Sequence, residues 1–145
     1  MNTLVTEAAL DPWSYLSEYQ QRAHTQPGVY GATAVFVGTL RDLNEGDEVQ
    51  SMLLEHYPGM TERYLEKIGQ QAAKRWPLSD YLIVHRVGEL LPGDPIVLVA
   101  AWSAHRNAAF EASRWMMEEL KSKAPFWKKE QLEKGSRWVE KNTLG

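Results

Sequence analysis

The residues with the clearest chemical potential lie in one ten-residue segment, Lys121–Glu130, which reads Lys-Ser-Lys-Ala-Pro-Phe-Trp-Lys-Lys-Glu. The segment holds four of the sixteen lysines and arginines of a 145-residue chain whose formal net charge is -3. Pro125 divides it, because proline lacks the N–H that a helix needs and its ring clashes with the preceding turn. One lysine pair therefore ends a helix and a second pair opens the next element, an arrangement that suits an anionic ligand.

Lysines at this position allow more than one interpretation. In the last turn of a helix they also complement the helix dipole, by about 0.3–1 kcal/mol each. An ammonium group close to other cations has a lowered pKa, and a neutral lysine amine is a nucleophile towards an activated acyl group or a carbonyl. Lys121 or Lys128 could act as such a nucleophile or could only supply charge, and composition leaves both roles open.

Two further positive sites stand at the ends of predicted elements. Arg41 follows a strand that ends near Gly38, and His105 and Arg106 begin the longest predicted helix. The free N–H groups of a helix N-terminus favour anions, and an arginine fork matches phosphate or carboxylate. As alternatives, Arg41 could pair with a neighbouring acid at the surface, Asp42 or Glu45, and His105 could be a partly buried histidine bonded to backbone.

The predicted long helix separates two of these positive sites. About 18 residues at 1.5 Å per residue give a length of roughly 27 Å. Its N-terminal His105-Arg106 and its C-terminal lysines therefore cannot contact one small ligand within one subunit. Either the two ends serve different ligands, or a second subunit brings one end to the other.

Composition excludes several classes of protein. The chain has no cysteine, which removes disulfides, thiolate catalysis and cysteine metal sites, so any sulfur must be brought to it. The four histidines lack metal-ligand spacing and the common phosphate-binding motifs are absent, so we expect neither a metal nor a cofactor. The acidic pI of about 5.8 argues against general nucleic-acid binding. Without an apolar run of about 18 residues or a signal-peptide pattern, we expect a cytoplasmic protein with no membrane contact.

Hydrophobic periodicity predicts three helices and six strands. Strands and helices interleave without a strict alternation, which favours an α+β fold with a mainly antiparallel sheet and one domain over residues 1–145. The first ten residues, Met1–Leu10, carry little structural information. The predicted helices are Asp11–His24, Thr61–Trp76 and His105–Ala124, and the predicted strands are Val29–Leu40, Val49–Tyr57, Tyr81–Val87, Ile96–Trp102, Trp127–Leu132 and Arg137–Val139.

Four motifs stand in order along the chain. They are Leu54-Glu55-His56-Tyr57-Pro58-Gly59-Met60, His85-Arg86-Val87-Gly88-Glu89-Leu90 with Pro92-Gly93-Asp94, Ala104-His105-Arg106 with Ala109-Phe110-Glu111-Ala112, and Lys123-Ala124-Pro125-Phe126-Trp127-Lys128-Lys129-Glu130. Together they closely resemble the large, catalytic subunit of molybdopterin synthase. The resemblance runs from about Val29 to Val139, with residues 1–28 matching weakly. It implies one family domain with an α/β hammerhead-like fold, in which helices flank an antiparallel sheet beside a smaller β-containing subdomain.

The resemblance also implies a reaction and an assembly. Members of this family convert cyclic pyranopterin monophosphate (precursor Z) to molybdopterin in molybdenum cofactor biosynthesis. The sulfur comes from the C-terminal glycine thiocarboxylate of a small ubiquitin-like subunit, which agrees with a chain that has no cysteine. The implied protein is a sulfurtransferase, present as a central homodimer in a heterotetramer that carries one small subunit at each end.

The resemblance assigns roles to individual residues. It implies that Lys121 and Lys128 are catalytic, with Lys121 nearest the carboxyl terminus of the donor and Lys128 also contacting substrate. It implies anion-binding positions at Arg41, His105 and Arg106, the last two supplied by the dimer mate.

The remaining positions implied by the resemblance line the pocket. Thr39 and Leu40 flank it through backbone groups. Lys129 and Glu130 extend its lining. Phe36 and Pro125 shape it.

Two other functions compete with this enzyme. The first is a binding module for a ubiquitin-like tail that performs no chemistry of its own. The second is a single-stranded nucleic-acid binder that stacks bases on Phe126 and Trp127 beside the lysines, which the acidic pI disfavours.

Overall fold

Three helices and two sheets make up the part of the chain that the computed structural model describes, residues 2–44, 47–132 and 135–138. This content confirms the α+β class. No helix in these ranges is long and apolar enough to cross a membrane. In chain order the elements are β1 (Thr3–Thr6), α1 (Pro12–Ala23), β2 (Ala32–Thr39), β3 (Leu43–Asn44), β4 (Asp47–His56), α2 (Met60–Arg75), β5 (Leu78–Arg86), β6 (Gly88–Leu90), β7 (Pro95–Ser103), α3 (Arg106–Lys123), β8 (Phe126–Leu132) and β9 (Gly135–Trp138).

The first sheet has the strand order β1-β5-β7-β2 and is built around β7. The apolar run of β7 is buried on both faces, as its lack of alternation predicts. Val99 and its same-face neighbours pack against α2 and α3, whereas Trp102 and Leu98 pack against α1 on the other face. The sheet is therefore the middle layer of the fold, and β2 is one of its edges.

The N-terminal residues contain a strand that the sequence pattern did not reveal. Residues Thr3–Thr6 pair in parallel with β5, with Thr3 opposite Ile83. The Asn2 side chain donates to Asp80 Oδ1 at 2.7 Å and to Tyr81 O at 3.0 Å. A four-residue edge strand is too short to show a period, and contacts distant in sequence hold it in place.

The second sheet has the order β3-β4-β8-β9, and β6 also pairs with β4. Its pairs are antiparallel, so the mainly antiparallel prediction is confirmed. Register partners share a face, and Lys128 in β8 lies opposite Leu54 in β4. Phe126 contacts the hydrophobic clusters of both sheets and joins them. The predicted strand end at Val139 and the acidic neighbour Glu45 lie outside the described residues.

Gly69, in the middle of α2, has a packing reason that yields a stability prediction. A Cβ atom at this position would overlap the ring of Tyr81. Alanine normally favours a helix interior over glycine by about 1 kcal/mol, but forced overpacking costs about 1–3 kcal/mol. We therefore expect Gly69→Ala to lower the free energy of unfolding, measured by urea denaturation.

The matched control for Gly69 is the same change in a Tyr81→Leu background. There the clash is reduced, and the substitution should cost less or become stabilising. A stabilised single variant would contradict the packing described for Tyr81.

Candidate active site

The break predicted at Pro125 places two lysines on different elements. Helix α3 ends at Lys123, its cap residue Ala124 is extended with φ -67° and ψ 139°, and β8 begins at Phe126. Lys121 therefore lies in the last turn of α3 and Lys128 in β8, and both are half-buried. Each is held by an element of the core and not by a loop.

The electrostatic environment of the two lysines favours their neutral forms. The pKa of Lys128 is lowered to about 8, first by burial and second by the charge of Lys121, while Glu130 opposes the change. Burial also lowers the pKa of Lys121, against the attraction of Glu118 and together with the repulsion of Arg41. These charges therefore form one interacting group. A pKa near 8 leaves a fraction of the Lys128 amine neutral at physiological pH.

Arg41 follows β2 and lines an open cleft beside this group. The cleft has a volume of about 530 Å³, and its walls are Thr39, Leu40, Arg41, Asp42, Pro92 and Gly93. The turn that contains Gly93 is tied to the end of β2, because Gly93 N–H donates to Leu40 O at 2.7 Å and Leu40 N–H donates to Asp94 O at 3.0 Å. The backbone groups of Leu40 thus build the wall of the cleft.

His85 is a buried histidine close enough to Lys121 and Lys128 for their charges to act on it. His85 was assigned no role from the sequence. It is 4% exposed, and its ring stacks on Phe126 at a centroid distance of 4.1 Å. Its Nδ1 lies 2.8 Å from Arg86 O, so Nδ1 carries the proton of the neutral ring. The pKa of His85 is lowered to about 4, chiefly by burial. The hydrogen bond to Arg86 opposes this change, whereas the charges of Lys128, Lys121 and His56 add to it. The sequence feature that could have identified it is a histidine that directly follows the apolar residues Leu82–Val84 in a predicted strand.

The lowered pKa of His85 makes stability depend on pH. Between about pH 6.5 and pH 4 the unfolded chain binds a proton that the folded chain does not, so stability falls as pH falls through this window. The full loss is on the order of 3 kcal/mol. We expect urea unfolding at pH 7.5 and pH 4.5 to show this loss in the wild type.

The control for this pH dependence is His85→Phe, which keeps an aromatic ring on Phe126 and removes the titrating group. Its pH dependence should be smaller by about the same amount, on the order of 3 kcal/mol. Equal pH dependence in the two proteins would contradict the burial of a neutral imidazole.

Three of the residues predicted for the site lie away from the lysine group. His105 is the N-cap of α3 with no side-chain capping bond, and both it and Arg106 are exposed. The alternative of a partly buried His105 is therefore wrong. These residues stand 15 and 16 positions before Lys121 along the chain, which is roughly 22–24 Å at the rise of an α-helix. Lys129 lies on the outer face of β8, with its Nζ 5.6 Å from the ring centroid of Trp138.

Glu130 lies on the same inner face of β8 as Lys128, but its side chain is buried. It is 1% exposed, and its Oε1 accepts from Arg137 Nε at 3.1 Å. Such a carboxylate acts on Lys128 through its charge and does not line the cleft. The structure therefore places Arg41 near Lys121 and Lys121 near Lys128. Thr39 and Leu40 line the cleft together with Arg41, and the two lysines are not among its lining residues.

The described part of the chain offers no cluster of metal-ligating side chains. Within it, no group of three or more histidine, cysteine, aspartate or glutamate side chains is arranged to hold a metal ion.

Comparison with known proteins adds an independent finding. A protein-family model described as MoaE protein matches residues 5–123. The molybdopterin synthase catalytic subunit of Pseudomonas aeruginosa is 52% identical over 136 residues, 94% of this chain and 88% of that protein. The solved molybdopterin biosynthesis MoaE protein from Burkholderia ambifaria has a TM-score of 0.80 and 44% identity, covering 99% of this chain and 92% of that one. The solved molybdopterin synthase from Staphylococcus aureus has a TM-score of 0.82 and 33% identity, covering 94% and 96%.

Proposed function

Because the chain belongs to the MoaE protein family and is a catalytic subunit of molybdopterin synthase in molybdenum cofactor biosynthesis, we propose that it is a sulfurtransferase. Its substrate is cyclic pyranopterin monophosphate, and its sulfur donor is the C-terminal thiocarboxylate of a small ubiquitin-like subunit. One cytoplasmic domain over residues 1–145 carries the reaction.

The site of this reaction is the cleft beside Arg41, Lys121 and Lys128. Both the phosphorylated pterin and the thiocarboxylate are anions, and cations in a partly buried site stabilise anions more strongly than they do in open water. Lys121 meets the end of the donor tail and Lys128 contacts the pterin. The observation that carries this assignment is the placement of Lys121 at the end of α3 and of Lys128 in β8, as two half-buried cations that act on each other, with Arg41 beside Lys121. The lowered pKa of Lys128 agrees with it, because such an amine can both hold charge and exchange a proton.

A homodimer completes the site, with His105 and Arg106 supplied by the other subunit. The length of α3 keeps these residues from Lys121 of their own subunit. Exposed apolar side chains on β2 and α3 support such a contact, since Phe36 is 41% and Phe110 65% exposed. Two small subunits bound to this dimer make the heterotetramer.

The nucleic-acid alternative is disfavoured by the positions of two rings. Phe126 stacks on His85 in the interior, whereas Trp127 lies on the opposite face of β8 and contacts Tyr57 at 4.1 Å between ring centroids. Adjacent residues of a strand point to opposite faces. The two rings therefore cannot stack successive bases on one surface.

Reconstitution from purified components separates the enzyme from a binding module. The protein is mixed with the thiocarboxylated small subunit and cyclic pyranopterin monophosphate, and the dithiolene product is measured. Product formation is expected. Tight binding of the small subunit without sulfur in the pterin would identify the chain as a binding module and overturn the proposal.

A further inference from the structure

The buried carboxylate of Glu130 has a partner on the last strand. A charge that is taken out of water is costly unless it is paired, and Glu130 is 1% exposed. In the register of β8 and β9, Glu130 lies directly opposite Arg137, and the Nε to Oε1 distance is 3.1 Å. Arg137 is itself half-buried. The ion pair therefore lies between two strands and not at the open surface.

The same carboxylate lies next to a lysine of the proposed site. Lys128 and Glu130 are two residues apart on one face of β8, which puts their Cα atoms about 7 Å apart. Both face β4, where Leu54 and Met52 are their register partners. A carboxylate has two oxygens, so Glu130 can attract Lys128 while it accepts from Arg137. The strength of that attraction depends on how firmly Arg137 holds the carboxylate.

We propose that Arg137 is a positioning residue for Lys128, acting through the buried carboxylate of Glu130. By pairing with Glu130 from the β9 side, it limits the attraction of Glu130 for Lys128 and keeps the Lys128 amine available to an anionic reactant. This inference rests on the proposed function, in which Lys128 contacts the anionic substrate. It gives β9 a role in the reaction without contact between Arg137 and any reactant.

The groups around Lys128 give the direction of the effect. Lys121 from α3 and Glu130 from β8 shift the pKa of the Lys128 amine in opposite directions. The charge of Lys128 in turn lowers the pKa of His85 from β5. His56 from β4 also acts on His85. Removing Arg137 takes away one positive charge and one hydrogen bond to the Glu130 carboxylate. Both changes favour the charged form of the lysine, so the pKa of Lys128 should rise.

The test measures Lys128 itself. The side-chain NMR signal of Lys128 in the ¹³C,¹⁵N-lysine-labelled full chain is titrated in the wild type, Arg137→Met and Arg137→Lys. We expect the pKa of Lys128 to rise by about one pH unit in Arg137→Met and to return to near the wild-type value in Arg137→Lys. An unchanged or lowered pKa in Arg137→Met would overturn the proposal.

A second pair of variants keeps the proposal testable if Arg137→Met does not fold. Glu130→Gln removes the carboxylate charge and keeps its shape, and it should lower the pKa of Lys128. Adding Arg137→Lys to Glu130→Gln should then change nothing further at Lys128. No response of Lys128 to Glu130→Gln would also overturn the proposal.

An activity measurement adds a readout that a merely structural role would not move. The basic limb of the pH profile of kcat should shift upward in Arg137→Met along with the Lys128 titration. Because the NMR titration needs neither the small subunit nor the pterin, its failure is distinct from a failure of the proposed function. Product formation with an unmoved Lys128 titration would overturn only the role of Arg137.

Discussion

Replacing Lys128 with alanine is expected to reduce molybdopterin formation by about 10²–10⁴-fold, the usual effect of removing a group that moves a proton or stabilises charge at the reacting centre. Lys128 is half-buried on the inner face of β8, and its pKa is lowered to about 8. Truncation removes both the positive charge and the amine. The measurement is the single-turnover rate of product formation with excess small subunit.

The neighbouring lysine provides a matched control for this change. Lys129 has the same charge and lies in the same strand, but its side chain is on the outer face over Trp138. We expect Lys129→Ala to keep a rate within about threefold of the wild type, as is usual for surface substitutions. Equal losses in Lys128→Ala and Lys129→Ala would contradict the assignment, because total positive charge and not position would then control the rate.

The second large loss of activity is expected for Lys121, which precedes Pro125 whereas Lys128 follows it. Lys121→Ala should also reduce molybdopterin formation by at least about 10²-fold. Lys121 is half-buried, and both burial and Arg41 lower its pKa. The donor thiocarboxylate then loses the cation that it meets in the cleft. The fold should survive, because the substitution shortens only one half-buried side chain in the last turn of α3.

Lys123, in the same helical turn, is the control for Lys121. It is exposed, and its Nζ lies 3.0 Å from Glu119 Oε2 in a surface ion pair one turn away. Exposed pairs of this kind contribute about 0.3–0.5 kcal/mol, so Lys123→Ala should change stability little and leave the rate near that of the wild type. Full turnover by Lys121→Ala would show that this lysine is not catalytic.

The sequence predicted the larger elements of the fold because their signals are local. The three helices and the long strands follow from apolar periodicity, and the break at Pro125 follows from the chemistry of proline. The strands it did not reveal are β1, β3 and β6, with four, two and three residues. Such strands are fixed by pairing with distant segments, as Thr3 is with Ile83, and their own residues contain no periodic pattern.

The sequence predicted which cations could form a site but not where their side chains point, and their roles in a reaction stay predictions. Lys121, Lys128 and Arg41 come together as their positions at element ends suggested. The alternation of a strand separates Lys128 from Lys129, and this could have been expected once β8 was recognised as a strand. The burial of Glu130 and the place of His85 beneath the lysines depend on how the two sheets pack, which no local pattern in the sequence contains.

Lys121 and Lys128 are expected to act as one unit on a shared pair of reactants. A double-mutant cycle tests it most directly, with single-turnover rates of molybdopterin formation for the wild type, Lys121→Ala, Lys128→Ala and the double variant. Residues that act as a unit give strongly non-additive effects, so we predict that the double variant loses about as much activity as the more damaged single variant. Losses that multiply to the full product of the two single effects would show two independent sites and contradict the account.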